Sequence, residues 1–351
     1  MAEIPKVPRS RRLLQWAAFL VVLLIGGQFT LWVLPYLEGR PPSVPRPPGV
    51  EAFLPINSFL ALRHLFATGR VDPVHPAGLA IFLGILVMSF ALPRSFCSHL
   101  CPVGLLSELL GRTGVRLFGG NLRLPKAADF PLRGIKFLLL GFFTWAIWFQ
   151  MSAADVADFL DSPYARVVDV KMWLFFARPS NLTLLVLAFL VLASLAIRDF
   201  WCRYLCPYGA LLGILGIFSP WKITRRESKC TQCLACTQAC PARLKVHERT
   251  RVTSPECTAC QDCVAACPEK GCLALALPGG KAPILRPALG VLLALALYAG
   301  VTGLVGLTGG WKTCVTPAEY QRRIPEIQSP LYTHPMGLNP AERGPEKKGR
   351  E

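Results

Sequence analysis

Two stretches of the chain read as chemistry before any fold is considered. Residues 230–241 are CTQCLACTQACP and residues 257–268 are CTACQDCVAACP, each with the spacing C-x2-C-x2-C-x3-C-P. Thiolates at this spacing hold cubane iron–sulfur clusters. Three close cysteines wrap three corners of one cube. The fourth, set before a proline that redirects the chain, reaches across to the other cube. The pattern therefore predicts one [4Fe–4S] cluster on Cys230, Cys233, Cys236 and Cys267, and a second on Cys257, Cys260, Cys263 and Cys240. Tetrahedral zinc also takes Cys-x2-Cys pairs, but two complete copies that both end in Cys-Pro favour clusters.

A rarer constellation lies upstream. FCSHLCPVGLLSELLG (96–111) and WCRYLCPYGALLGILG (201–216) align without gaps at an offset of 105 residues, sharing Cys-x3-Cys-Pro-x-Gly. Each copy follows an apolar stretch, which marks an internal repeat of the kind that places functional groups between copies. If the turn is helical, cysteines four apart share a face. Cys97, Cys101, Cys202 and Cys206 then form a candidate four-thiolate site for a metal, a further cluster or a redox-active pair. The plainer reading is packing, with Cys-Pro-x-Gly shaping the helix entry. Cys272 and Cys314 have no partner at meaningful spacing and read as unliganded thiols. No Cys-x2-Cys-His occurs, and none of the five histidines (64, 75, 99, 247, 334) lies deep in an apolar stretch, so no haem is expected. No glycine-rich phosphate loop opens a helix, so no nucleotide is expected.

The elements that must carry these cysteines are apolar. Of 351 residues, 52% are hydrophobic and only 17% charged, with a mean hydropathy of +0.42. Soluble domains carry about 25% charged residues, so a secreted mini-domain, a disordered chain or an ordinary cytosolic enzyme is excluded. Five stretches are long enough for a bilayer, which needs about 20 residues: 13–35, 73–93, 137–154, 179–197 and 287–311. The first follows the basic cluster KVPRSRRLLQW without a small-residue cleavage site and reads as an anchor. Arg11-Arg12 matches a twin-arginine signal only weakly and reads instead as a cytoplasmic stop charge.

The net charge of +17 is read as topology rather than as a nucleic-acid patch. Lys plus Arg number 4, 7 and 13 in the amino-terminal, 94–136 and 198–286 segments, against 4 and 3 in 36–72 and 155–178. The excess puts the amino terminus and the cysteine-rich segments in the cytoplasm, and the tail 312–351 in the periplasm. The runs AFLPINSFLALRHLF and VVDVKMWLFFARP are too polar to span and read as interfacial helices or as helices packed on the bundle. The tail is read as a docking segment for a partner, or as a segment folded back on its own bundle.

The fold class expected is thus an α-helical integral membrane protein of about five spans with an inserted α+β two-cluster ferredoxin-like module. The membrane domain covers 1–220, the module 221–281, the fifth span 287–311 and the tail 312–351.

The paired Cys-x3-Cys-Pro motifs with the two ferredoxin runs resemble the membrane polyferredoxin family typified by NapH and NosR, over about residues 13–310. The resemblance implies a bacterial inner-membrane protein passing electrons from membrane quinol to a respiratory reductase or its maturation partner. The sequence shows neither the amino-terminal flavin-binding domain of the longest members nor the immunoglobulin-like domain of the related CcoG proteins, which points to the compact NapH-like type. Two other classes stand beside this one. One is a copper reductase or metalloenzyme assembly factor working through the four Cys-x3-Cys-Pro thiols, since soft thiolates suit reduced copper. The other is a structural subunit that anchors a partner.

Overall fold

The computed structural model describes residues 7–279, 284–285, 287–307 and 311–334. The expected module end at Lys281, residues 308–310 of the fifth stretch and residues 335–351 of the tail lie outside the described residues.

Among the described residues, three helices are long and apolar enough to cross a membrane: Arg9–Leu37, Lys126–Gln150 and Ala288–Leu307. A fourth is gained if Ala165–Ala177 and Asn181–Ala196, bent by 72°, count as one broken span. Pro179 accounts for the break, since proline disfavours a helical residue before it. The first helix is free of charge from Leu13 onward and exposes Leu20, Leu23, Leu24 and Leu31, the face a lipid phase would solvate.

The count of five spans from sequence is not reproduced, for local reasons. The stretch 73–93 becomes Pro76–Ala91, whose 16 residues rise about 24 Å against a hydrocarbon core of about 30 Å. Most of it is covered by protein: Ala77, Leu79, Ala80, Ile81, Phe82, Ile85 and Met88 are buried, while Val87 and Phe90 are exposed. The stretch 137–154 begins earlier, at Lys126, and ends at Gln150 in a π turn. Ser152 and Asp155 form a capping box that starts a new helix at Ala153.

The chain divides into two compact units. The first comprises Met1–Leu23, Leu83–Phe143 and Leu184–Gly303. It contains a three-stranded antiparallel sheet of β1 (Lys222–Arg225), β2 (Leu273–Ala276) and β3 (Ile284–Leu285), in the order β1-β2-β3. Pairing of Arg225 with Leu273 and of Lys222 with Ala276 clamps together the two ends of the cysteine-rich segment. Ile223, Val246, Val252, Leu273 and Leu275 form one core with Met88, Leu92 and Ala294 of the apolar helices. The ferredoxin-like segment thus shares its hydrophobic core with helices of its unit.

The second unit comprises Leu24–Phe82, Thr144–Thr183 and Leu304–Glu351. Both short apolar runs read from sequence are helical here, as Pro55–Thr68 and Val168–Ala177. Arg46 pairs with Glu51 at 2.8 Å and Asp169 at 2.7 Å, both carboxylates wholly buried.

The described part of the tail is not a free docking segment. Thr316 caps the helix Pro317–Arg323, and Tyr320, Ile324, Ile327 and Tyr332 are buried against Phe29, Trp32, Val33 and Tyr36. The Tyr320 ring meets Trp32 edge-on at 4.8 Å. Proline spacing excludes a long helix here but permits a short one followed by turns. Replacing Ile324, which is 0% exposed, with alanine is expected to cost about 2–5 kcal/mol. Thermal unfolding in detergent measures this, and an unchanged midpoint would show that the tail is peripheral.

Candidate iron–sulfur centres

The two cysteine runs fold alike. Left-handed backbone occurs at Gln232 (φ 55°) and Leu234 (φ 63°), and at the matching Ala259 (φ 48°) and Gln261 (φ 61°). None of these is glycine, so the conformation is held by the surroundings at some cost. Such alternation of hand turns successive amide N–H groups into a concave nest, an arrangement that receives anions and many iron–sulfur clusters. A short helix follows each nest, Ala235–Ala239 and Asp262–Ala265, and leads to the fourth cysteine.

The thiols of the two runs line two separate cavities. One cavity is lined by Cys257, Cys260, Cys263 and, from the other run, Cys240. A second is lined by Cys230, Cys233, Cys236 and, from the other run, Cys267. Ile223, Leu244, Val246 and Val252 make the first cavity dry. Burial pushes the thiols of Cys257, Cys260 and Cys263 up, and that of Cys240 up to about 11. Four neutral thiols in a dry pocket ionise only when metal takes up their charge. The second cavity reaches the surface, where Cys233 is exposed. Cys230 is shifted the other way, by the N–H of Gln232 and by Arg225.

Among the described residues, no three His, Cys, Asp or Glu side chains converge on a point fit for one ion. The nests, the cavities and the donor set all fit [4Fe–4S] clusters.

The repeat also holds at the level of backbone. Arg94 (φ 45°) and Asp199 (φ 58°), 105 residues apart, share left-handed geometry, and Cys101 and Cys206 each donate to a carbonyl five residues back, Phe96 and Trp201. Cys97 sits in the short helix Ser95–His99 and Cys202 in a π turn, while Cys101 and Cys206 open the helices Pro102–Phe118 and Pro207–Phe218. All four thiols come together. Burial raises Cys202 first, and then the charges of Cys206, Cys101 and Cys97; Cys101 is pushed up to about 12 by burial and by Cys97. Arg94 hydrogen-bonds Cys97.

The glycine of Cys-Pro-x-Gly has a plain reason in the first copy. A Cβ at Gly104 would overlap the Cys97 carbonyl oxygen, whereas one at Gly209 would meet, at 2.9 Å, the movable end of Arg94. Gly104→Ala is therefore expected to cost about 1–3 kcal/mol and Gly209→Ala clearly less, compared by thermal unfolding. Equal effects would mean that the two copies are packed alike.

Residues that sequence reasoning missed hold these centres together. Arg11, taken there as a stop charge, is buried; it donates to Asp262 and Glu108, both at 2.6 Å, and to the Ser98 carbonyl at 3.0 Å. Asp262 lies between Cys260 and Cys263. Lys136, 0% exposed, donates at 2.5 Å to Glu256, the residue before Cys257, and Arg94 pairs with the same carboxylate at 3.4 Å. A cavity runs from Cys97 and Cys202 to Pro241, Ala242 and Thr258, the neighbours of Cys240 and Cys257. A charged residue at the polar end of an apolar helix was the available signal for Lys136; Arg11 offered none.

Comparison with known proteins agrees with the geometry. A family described as "4Fe-4S binding domain" matches residues 74–125 and 179–226, the two copies of the repeat, and a "4Fe-4S dicluster domain" matches 222–268. The "Putative electron transport protein YccM" of Escherichia coli (strain K12) is 40% identical over 317 residues, covering 89% of this chain and 88% of the relative. The chain belongs to the membrane-associated polyferredoxin family. Two longer relatives match this polyferredoxin over a part of their length. NirI of Paracoccus denitrificans is 31% identical over 46% of this chain and 22% of its own, and NosR of Stutzerimonas stutzeri 30% identical over 41% and 19%. No solved structure matches.

Proposed function

We propose that the polyferredoxin binds two [4Fe–4S] clusters, one on Cys230, Cys233, Cys236 and Cys267 and one on Cys257, Cys260, Cys263 and Cys240, and carries electrons between membrane quinol and a redox partner protein. When bound, the clusters supply one-electron carriage, which suits stepwise oxidation of a two-electron quinol. The observation that carries the reading is the pair of separate cavities, each lined by three thiols of one run and the fourth of the other. Cys97, Cys101, Cys202 and Cys206 form a third thiolate site, for which the matched "4Fe-4S binding domain" favours a further cluster over a lone copper ion.

The residues give these sites an order. The quartet with Cys240 borders the cavity that also touches Cys97 and Cys202, while the quartet with Cys230 ends at exposed Cys233. Apolar side chains keep water from the inner quartet, and the Arg11–Asp262 and Lys136–Glu256 pairs fix its loop. Exposed Cys233 supports electron exchange between the outer quartet and the redox partner. The apolar helices and the basic excess of 198–286 support a bacterial inner-membrane location with the cysteine sites facing the cytoplasm.

Iron and acid-labile sulfide analysis of anaerobically purified protein, with EPR after reduction, is expected to show about eight irons or more. A quinol analogue is then expected to bleach the visible absorption. Stoichiometric zinc with little iron would overturn the cluster assignment, and clusters that no quinol reduces would overturn the donor. A reporter fused after Pro278 is expected to behave as cytoplasmic; external behaviour would reverse the sidedness.

A further inference from the structure

Cys272, unassigned by its spacing, is not alone in the fold. It is 2% exposed and lines the same cavity as Cys230, Cys233, Cys236 and Cys267. Its thiol lies within hydrogen-bonding reach of both Cys230 and Cys267 and donates to the Arg226 carbonyl at 3.7 Å. Five thiols thus face the outer cavity, against four at the inner one.

The thiols of Cys272 and Cys267 are held differently. Cys272 is fixed at the edge of the sheet: its carbonyl accepts from Arg226 N–H at 2.8 Å, and β2 begins at the next residue. Cys267 stands at the head of the loop Pro268–Gly271, all four residues of which are exposed. Loops without buried contacts open more readily than paired strands. A ligand on the mobile side therefore sits beside an equivalent donor on the rigid side.

We propose that Cys272 is a reserve ligand, able to take the corner of the outer cluster that Cys267 holds. The inference rests on the cluster assignment above. The exchange moves no electrons: the Cys272 S–H bond breaks as its sulfur binds iron, and the released Cys267 thiolate takes up a proton. The outer cluster, the one open to solvent and oxidants, would then survive loss of a ligand that the inner cluster could not.

The test compares the full chain with Cys272→Ala, Cys267→Ala and the double variant, each prepared anaerobically, by iron content and by EPR after reduction. Cys272→Ala is expected to keep the iron content of the unsubstituted chain. Cys267→Ala is expected to keep it too, with a changed line shape for one cluster. The double variant is expected to lose about four irons while the inner cluster signal persists, which shows that the chain is folded. Loss of about four irons from Cys267→Ala alone would overturn the proposal, as would their loss from Cys272→Ala or their retention in the double variant. An unsubstituted chain without cubane iron would instead sink the cluster assignment itself.

Discussion

Replacing Arg11 with methionine is expected to destabilise the first unit by about 3–5 kcal/mol, the range for breaking a buried ion pair from one side. The guanidinium is 5% exposed and neutralises two carboxylates, Asp262 at 0% and Glu108 at 8%. Without it, Asp262 is left charged in a dry pocket or must take up a proton, and Gln15 and Arg112 remain for Glu108. Because Asp262 stands between Cys260 and Cys263, the inner cluster should be lost more readily than the outer one. Thermal unfolding in detergent and EPR of the same sample read the two effects. Arg12→Met is the control: Arg12 is exposed, and its loss should change stability by less than about 0.5 kcal/mol. Equal behaviour of the two variants would return Arg11 to a topological role.

Replacing Cys240 with alanine is expected to remove about four irons from the cluster whose other three ligands lie 17 or more residues downstream. The loss should fall on the inner cluster although Cys240 belongs to the first run, because its side chain lines the cavity of the second. Among the described residues, no fifth thiol lines that cavity to replace it. EPR that showed the outer cluster gone and the inner one intact would mean that each run holds its own cube.

The cysteine chemistry was legible in the sequence because it is written in short spacings. Cys-x2-Cys-x2-Cys dictates a tight turn, and the turn dictates the nest, so a local pattern determines a local geometry. The repeat was legible for the same reason, down to the matched backbone of Arg94 and Asp199. What joins the pieces was not. Arg11 and Asp262 are 251 residues apart, and no periodicity announces a partnership at that distance. Hydropathy also drew 73–93 longer than the 16-residue helix Pro76–Ala91, since burial in protein and burial in lipid select the same side chains. Cys272 escaped because its partners are assigned by the sheet: the pairing of Arg225 with Leu273 brings it beside Cys230, 42 residues upstream.

The interleaving of the two units along the chain bears on biosynthesis. Each is assembled from three segments, and the last of these are Leu184–Gly303 for one and Leu304–Glu351 for the other. A ribosome that has translated the first 180 residues has released no finished unit, unlike one making proteins whose domains emerge and fold in turn. Phe29, Trp32 and Tyr36 must wait for Tyr320, Ile324 and Tyr332, which are nearly the last described residues to be made. This apolar surface is therefore covered only after Tyr320, Ile324 and Tyr332 have been made. Nascent chains stalled before Pro317 should accordingly be the species that membrane quality-control proteases remove.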